Sequence, residues 1–230
     1  MKLSDLTVSM LKNFSDINSS ICISKGSSLN TISTTKSILA NVEVDDKFPV
    51  DFAIYDLHQF LNVVSLFGNP TFEFNKDSVV ITDNGMNITY RYGDPTAITV
   101  PPEDYQDKMA TAIDPVAIEF KLSQENVRSI RKTSSVIEAP DIEISSVDGK
   151  VVDIIVMDRN DPSSNVARVQ VDAEKKGKAF SAHTNIDSLK LYDGNYNIKI
   201  GGKDRPAIIQ FFEIDSGVVY WVATDATSKY

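Results

Sequence analysis

The chain has 230 residues, with 32 acidic side chains against 23 Lys and Arg and a formal net charge of −9. A charge of this sign disfavours nucleic acid as a partner if it is evenly spread, and no stretch approaches the ~20 apolar residues that a membrane-spanning helix needs. Cys22 is the only cysteine, which excludes an internal disulfide and disfavours a thiolate metal site; with no signal-peptide pattern in MKLSDLTVSMLKNFSD, it suits a reducing cytoplasm.

The first half of the chain predicts two helices among short strands. The first helix is predicted at 4–16, where Ser4 is a suitable N-cap and apolar residues follow on one side at helical spacing. The second is predicted at 56–67, where Asp56 is the cap. Alternating or β-branched runs predict the strands of this half, at 20–26, 38–44, 48–54, 70–75, 78–83 and 87–92.

The second half predicts the same kinds of element. A third helix is predicted at 123–134, with Ser123 as its cap, and a short fourth helix at 185–192. The strands of this half are predicted at 116–122, 141–146, 150–157, 166–172, 196–200, 207–214 and 217–224. Turn signals between the runs favour antiparallel hairpins.

An internal repeat relates the two halves. The triplet Lys-Leu-Ser stands at 2–4 and again at 121–123, each time before a predicted helix, and the order of helices and strands recurs with it. We therefore predict an α+β fold of two similar domains, each with two helices packed on antiparallel β-sheet. Since the segment 94–115 is rich in proline and acids, we place a semi-rigid connector there. The predicted organisation is an N-terminal domain at 1–100, a connector at 101–115 and a C-terminal domain at 116–230.

The third predicted helix carries a concentrated basic stripe in an acidic chain. Arg128, Arg131 and Lys132 share one side of it, and no acid occurs from Val127 to Ser134. These residues form either an ordinary solvated helix face or, if the helices of both halves lie side by side, part of a surface for DNA phosphates. Such a surface binds the backbone without reading the base sequence.

The sequence contains no catalytic pattern. His58 and His183 are far apart, and neither has a clear catalytic companion. The loop DRNDPSSN at 158–165 lacks the Gly and Glu of an EF-hand, and GGKD at 201–204 lacks the spacing of a phosphate-binding loop. We therefore predict a binding or architectural protein with no enzyme activity, no cofactor and no metal.

Four segments resemble a known family. They are MKLSDLTVSMLKNFSDINS, DFAIYDLHQFLNVVSLF, EFKLSQENVRSIRKTSS and YWVATDATSKY. Together they are similar to the sliding clamp, or DNA polymerase processivity factor, of T4-like bacteriophages. The resemblance implies a DNA-clamp fold and a homotrimeric ring around duplex DNA, with helices lining the hole. It also implies DNA polymerase and an ATP-dependent clamp loader as partners, no membrane, and action in the cytoplasm of the infected bacterium.

The resemblance also implies site residues. The positions that would face DNA are Lys2, Lys12, Lys121, Arg128, Arg131, Lys132 and Lys190. The positions that would approach a pocket for the apolar peptides of partner proteins are Ile32, Ile38, Tyr105, Met109, Pro206, Trp221 and Ala223. For Trp221, plain core packing at a strand end is an equal alternative. Asp5 and Asp16 depart from a purely basic inner surface, and strands 87–92 and 166–171 are candidates for pairing between subunits.

Two other functions compete with this one. A structural phage β-protein that does not encircle DNA would tolerate replacement of Arg128, Arg131 and Lys132 by Ala without loss of polymerase stimulation. A hydrolase with paired carboxylates and a metal would need a divalent ion for turnover, and no residue spacing favours it.

Overall fold

The computed structural model describes residues 1–175 and 177–230. The chain forms two compact units, Met1–Pro102 and Glu103–Tyr230. We refer to them as unit 1 and unit 2.

Unit 1 combines two α-helices with short antiparallel strands. Its elements are α1 (Asp5–Ile17), β1 (Ile21–Ile23), β2 (Gly26–Ile32), β3 (Ile38–Phe48), β4 (Phe52–Ile54), α2 (Leu57–Val64), β5 (Thr71–Phe74), β6 (Ser78–Asp83) and β7 (Met86–Arg91). Within the unit, β1 pairs with β4, β2 pairs with β3, and β5, β6 and β7 form a meander. A short 3₁₀ turn, Pro95–Ala97, follows.

The start of α1 is fixed by a carboxylate from β3. Ser4 caps the helix by accepting a hydrogen bond from the backbone N–H of Thr7 at 3.2 Å. Asp46 accepts hydrogen bonds from the N–H and the hydroxyl of Ser4, both at 2.7 Å, and from the hydroxyl of Thr7 at 2.6 Å. A cap of this kind stabilises a helix by about 1 kcal/mol. Met10 and Phe14 then bury the inner side of the helix.

Unit 2 contains a larger sheet. Its elements are α3 (Tyr105–Ile113), β8 (Val116–Leu122), α4 (Gln124–Ile137), β9 (Asp141–Ser146), β10 (Val151–Met157), β11 (Ala167–Lys175), β12 (Phe180–Asn185), a 3₁₀ turn (Ile186–Ser188), β13 (Tyr196–Gly201), β14 (Ile208–Glu213) and β15 (Val219–Ala223). The strands of the unit are antiparallel and lie in the order β12-β9-β10-β11-β8-β13-β14-β15.

One face of this sheet is buried over most of its strands. The register places Phe120 of β8 beside Ile198 of β13, and Phe211 of β14 beside the same residue, and all three are buried. Helix α4 contacts β10 and β11 and buries Val127 and Ile130. Because side chains alternate along a strand, the residues between these buried positions lie on the opposite face.

The two units repeat one order of elements, as the Lys-Leu-Ser triplets predict. In each, a helix is followed by four strands, a helical element and a three-stranded meander, and β1 pairs with β4 as β9 pairs with β12. Met1 exchanges backbone hydrogen bonds with Phe72 of β5, at 2.6 Å each. The equivalent in unit 2 is the pairing of Phe120 with Ile198. The predicted α+β fold, with helices packed on antiparallel β-sheet in two similar units, is confirmed.

The prediction of a helix at 185–192 is wrong. Only the 3₁₀ turn Ile186–Ser188 forms, and the chain from 189 to 195 is irregular. An eight-residue helix is marginal without tertiary support. Here the carbonyls of Leu189 and Leu191 accept hydrogen bonds from the side chain of Arg131 instead of from the backbone four residues on.

The predicted connector at 101–115 is not an irregular segment, since it contains α3. Tyr105, Met109 and Ile113 recur every four residues, which is helical spacing that the proline-rich composition obscured. Two strands, β2 and β12, were also not predicted. Their sequences, GSSLNTI and FSAHTN, are dominated by small and polar residues that give a weak strand signal.

Candidate nucleic-acid interface

Helix α4 presents the basic stripe on a well-anchored frame. Ser123 caps it by accepting from the N–H of Asn126 at 3.2 Å. At the other end, Glu138 adopts a left-handed conformation (φ 54°) and the hydroxyl of Ser134 donates to the carbonyl of Ala139 at 2.6 Å. Val127, Ile130 and Ser134 are buried, so the opposite side of the helix faces solvent.

Arg128 lies on that exposed side and is paired with a carboxylate. Its Nε donates to Oδ1 of Asp193 at 2.9 Å, and its Nη2 contacts Oδ2 of the same side chain. Gln124 donates to Asp193 at 2.8 Å as well. The Arg128 guanidinium, helped by Gln124, holds the pKa of Asp193 below its usual range. The charge of Arg128 is therefore largely balanced by a neighbouring anion.

Arg131 has a different position from the one expected. It is half-buried and donates from Nε and Nη2 to the carbonyl of Leu189, at 3.1 and 2.7 Å, and from Nη2 to the carbonyl of Leu191 at 2.7 Å. Its guanidinium therefore holds the irregular segment after the 3₁₀ turn against α4. Arg131 is a positioning residue in this structure rather than an open cation.

Lys132 is the exposed cation of the helix. Its side chain is exposed, and no hydrogen bond or ion pair in residues 1–175 and 177–230 involves it. Lys190, expected on a fourth helix, instead lies half-buried in the irregular segment after the 3₁₀ turn.

Lys121 does not share a surface with α4. It lies between the buried Phe120 and Leu122 on β8, so its side chain is on the opposite face of the sheet. There it pairs with Glu174 at 3.2 Å, next to a second ion pair between Lys175 and Glu119 at 3.0 Å. The expectation was wrong because it extended the helical period of α4 backwards into β8. A residue that precedes the N-cap no longer follows that period.

Unit 1 contributes Lys2 and Lys12, and both are exposed. Lys12 lines a groove of about 350 Å³ between α1 and α2, together with Asp16, His58 and Asn62. The sequence did not assign His58 or Asn62 to a site. The exposed carboxylate of Asp16 in the same groove offsets the charge of Lys12.

The residues expected at a partner-peptide pocket are divided between the two units. In unit 2, the rings of Tyr105 and Trp221 pack edge to face at 6.2 Å, Pro206 is buried, Met109 is half-buried and Ala223 is exposed. Trp221 is 8% exposed, so it packs in the core of its unit to a large extent.

In unit 1, Ile32 and Ile38 are both buried and flank the turn between β2 and β3. Ser33 closes this turn, since its N–H donates to the carbonyl of Ile38 at 2.9 Å.

His183 has polar neighbours that the sequence did not reveal. It lies within β12, not at a strand end, and its Nε2 is 2.9 Å from the hydroxyl of Ser181, which in turn donates to Glu143 at 3.3 Å. The serine stands between the imidazole and the carboxylate, so no carboxylate orients the imidazole as a general base. Burial lowers the pKa of His183. This arrangement is not that of a catalytic triad.

No group of three or more His, Cys, Asp or Glu side chains in the described part of the chain could hold a metal ion. The helices in that part are also all too short or too polar to cross a membrane.

Comparisons with known proteins agree with this architecture. Residues 2–100 match the family model described as DNA polymerase processivity factor. The chain is 29% identical over 228 residues to the sliding clamp of Vibrio phage KVP40, covering 98% of this chain and 100% of that protein. It is 25% identical over 237 residues to the sliding clamp of Enterobacteria phage T4, covering 100% of both.

A solved structure shares the fold. The Proliferating Cellular Nuclear Antigen from Entamoeba histolytica superposes with a TM-score of 0.67 at 14% identity, over 96% of this chain and 95% of that one. The family match, the full-length alignments with phage clamps and the two-unit architecture all point the same way. Over its whole length the chain is similar to the sliding clamps of T4-like bacteriophages, and its residues 2–100 match the DNA polymerase processivity factor family.

Proposed function

We propose that three copies of the protein close head to tail into a ring that encircles duplex DNA and tethers the replicative polymerase to it. The helices would face the DNA, and Lys132, Arg128 and Lys12 would contact phosphates. The observation that carries this assignment is the exposed Lys132 of α4, within the stretch 127–134 that contains no acid. A head-to-tail interface generates a closed ring when its rotation divides a full turn.

The contacts to DNA would be weak, as sliding requires. Arg128 is paired with Asp193, and Lys12 shares its groove with Asp16. Few open cations mean that few counterions are released on binding, so the affinity for DNA itself is low and its dependence on salt is shallow. Retention would then rest on topology rather than on binding energy.

Two strands suit the seams between subunits. β7 is hydrogen-bonded to β6 on one side, and residues 167–172 of β11 pair with β10 on one side while β8 pairs with this strand only at 173–175. In the described residues of each unit, one edge of β7 and one edge of most of β11 are thus open. Open edges of this kind pair with a strand from another chain.

The proposed partners are DNA polymerase and an ATP-dependent clamp loader. Apolar peptides of these partners would dock near Tyr105, Met109, Pro206, Trp221 and Ala223 in unit 2 and near Ile32 and Ile38 in unit 1. We also propose that the protein has no catalytic activity of its own and acts in the cytoplasm of the infected bacterium.

Loading onto nicked circular DNA tests the proposal directly. The phage's clamp loader places the protein on the DNA, and gel filtration separates the DNA-bound protein from free protein. Native mass spectrometry gives the number of subunits. A trimer that stays on the circle and is released when the circle is cut to a linear form is the expected result. Release on cutting separates encirclement from electrostatic adhesion, because cutting does not change the charge of the DNA.

A matched pair of variants then tests the role of the α4 surface. Lys132→Gln should speed the sliding-off of the clamp from linear DNA, whereas Lys175→Gln, on the opposite sheet face, should not. A monomer that never stays on the circle, or equal retention on circular and linear DNA, would refute the ring.

A further inference from the structure

The segment that follows the last strand of each unit returns to the same place in the fold. In unit 1, the N–H of Gly93 donates to the carbonyl of Ala53 in β4 at 2.8 Å. In unit 2, the N–H of Asp225 donates to the carbonyl of His183 in β12, also at 2.8 Å. Since β4 pairs with β1 as β12 pairs with β9, Ala53 and His183 occupy equivalent positions.

A second pair of hydrogen bonds supports this equivalence one residue earlier. The N–H of Tyr92 donates to the carbonyl of Asp77 at 3.2 Å, in the turn before β6. The N–H of Thr224 donates to the carbonyl of Ala207 at 3.0 Å, just before β14. Two consecutive residues therefore make equivalent hydrogen bonds in both units, and the paths of the two segments diverge only after them.

In unit 2 the chain continues as an added strand along β12. The N–H and the carbonyl of Lys229 pair with the carbonyl and the N–H of Ser181, each at 2.8 Å. The N–H of His183 donates to the hydroxyl of Ser228 at 2.9 Å. Residues 225–230 thus satisfy the outward backbone groups of β12, which is an edge strand of its sheet.

In unit 1 the chain turns away, and the N–H of Ala53, a residue that is 3% exposed, receives no partner from this segment. The N–H and carbonyl of one strand residue point to the same side, so the N–H of Ala53 faces the side on which Gly93 binds. Asp51 lies one residue before the start of β4, and in an extension of the strand by one residue its N–H and carbonyl face that side too. Outside the β1–β4 ladder, none of the backbone hydrogen bonds in the described part of the chain uses these groups.

A cavity of about 530 Å³ lies beside these open groups, wholly within unit 1. Its walls include the rings of Phe52 and Tyr92, which stack with centroids 5.2 Å apart, and the half-buried Cys22. Two carboxylates, of Asp51 and Asp77, and one ammonium, of Lys76, also line it. Apolar walls with a net negative charge suit an aromatic side chain with a cation next to it.

We propose that this place, the β4 cleft formed by Asp51, Ala53 and the cavity beside them, binds an extended peptide of a partner protein by strand addition. The peptide carries a cationic residue next to an aromatic one, as Lys229 and Tyr230 do in the segment that covers β12 of unit 2. Backbone pairing with Asp51 and Ala53 supplies affinity, and the aromatic side chain in the cavity supplies selectivity. The cleft is distinct from the pocket expected near Ile32 and the α3 residues.

Nuclear magnetic resonance of the full-length, ¹⁵N-labelled protein tests the proposal. The probe is the synthetic heptapeptide Thr-Asp-Ala-Thr-Ser-Lys-Tyr, which has the sequence of residues 224–230. We expect saturable shifts of the Asp51 and Ala53 amide signals, with a Kd of about 0.1–1 mM, as for a short flexible peptide. Shifts confined to Ser181 and His183 would mean that the peptide only competes with the chain's own segment, and this result or the lack of any shift would overturn the proposal.

Two controls isolate the strand pairing. A peptide with Pro in place of Lys lacks the N–H that pairs with β4 and should bind at least about fivefold more weakly, the loss expected for one hydrogen bond. The variant Ala53→Pro removes the outward N–H of β4 but no donor of the β1 ladder, and proline is tolerated at such edge positions. It should weaken the binding measured at the Asp51 amide by about fivefold as well, since one hydrogen bond is lost; equal binding by this variant would refute the pairing. If the variant does not fold, the proline peptide decides alone.

Discussion

Replacing Arg131 should destabilise unit 2 without changing the exposed charge that we assign to DNA. Arg131 donates to the carbonyls of Leu189 and Leu191 at 2.7–3.1 Å. A hydrogen bond to a charged group contributes about 1.5–3 kcal/mol, and two acceptors lose such a donor in Arg131→Gln. Since the guanidinium is half-buried and water can reach part of the site, we expect a loss of about 2–4 kcal/mol in the free energy of unfolding of unit 2.

The protein carries a natural probe for this measurement. Trp221 is the only tryptophan and lies in unit 2, so its fluorescence follows the unfolding of that unit. With a urea slope of about 2 kcal/mol per M, the expected loss lowers the unfolding midpoint by about 1–2 M. Arg131→Lys keeps the charge but not the planar fork that reaches both carbonyls, so it should fall between wild type and Arg131→Gln.

Lys132→Gln is the matched control, because it removes one positive charge from the next residue of the same helix. Its midpoint should equal that of the wild type, since its side chain is exposed and makes no hydrogen bond or ion pair within the described residues. An unchanged midpoint for Arg131→Gln, or an equal fall for both variants, would refute the positioning role. Weaker DNA retention by Lys132→Gln at an unchanged midpoint would separate the two roles completely.

Three further predictions follow from charges and buried hydroxyls. Asp193→Asn frees Arg128 and removes a negative charge, so it should slow the release of the protein from linear DNA at low salt. Lys132→Glu should speed this release. Release half-times measured over a range of salt concentrations test both variants. Burial alone would raise the pKa of Asp46, but hydrogen bonds from the α1 N-terminus lower it. Unit 1 should therefore lose stability as the pH falls below about 4. In acid unfolding curves, Asp46→Asn should make this loss of stability smaller. Burial raises the pKa of Tyr196, so its contribution to stability is complete below about pH 10 and declines above it, and Tyr196→Phe should move alkaline unfolding, followed by circular dichroism, to higher pH.

Local signals in the sequence predicted much of the fold. Ser4, Asp56 and Ser123 were identified as caps, and each accepts a backbone N–H at the start of its helix. Turn residues and β-branched runs predicted most strands for the same reason: hairpins and caps depend on neighbours within a few residues. The two Lys-Leu-Ser triplets were informative because Ser has the same role in both copies, as the N-cap of the helix that follows.

The candidate site was harder to predict, because its properties depend on residues distant in the chain. Helical spacing correctly places Arg128, Arg131 and Lys132 near one another, but it does not identify Asp193, which balances Arg128 from 65 residues away. It likewise cannot distinguish Arg131, whose acceptors are backbone carbonyls, from an open cation. Every residue has a backbone carbonyl, so residue types do not show which carbonyls accept a hydrogen bond from a side chain. The sequence alone therefore overestimates the number of unpaired charges.

The pairing of cations with neighbouring acids is consistent with the proposed sliding function. Each open cation adds a phosphate contact whose breaking slows movement along DNA, and each release of a counterion deepens the binding well. Arg128 with Asp193 and Lys12 beside Asp16 both reduce the positive charge that a phosphate would meet. A protein held by topology gains nothing from tighter contacts, whereas one held by affinity would need more cations like Lys132. The distribution of acids next to these cations therefore argues for encirclement over adhesion.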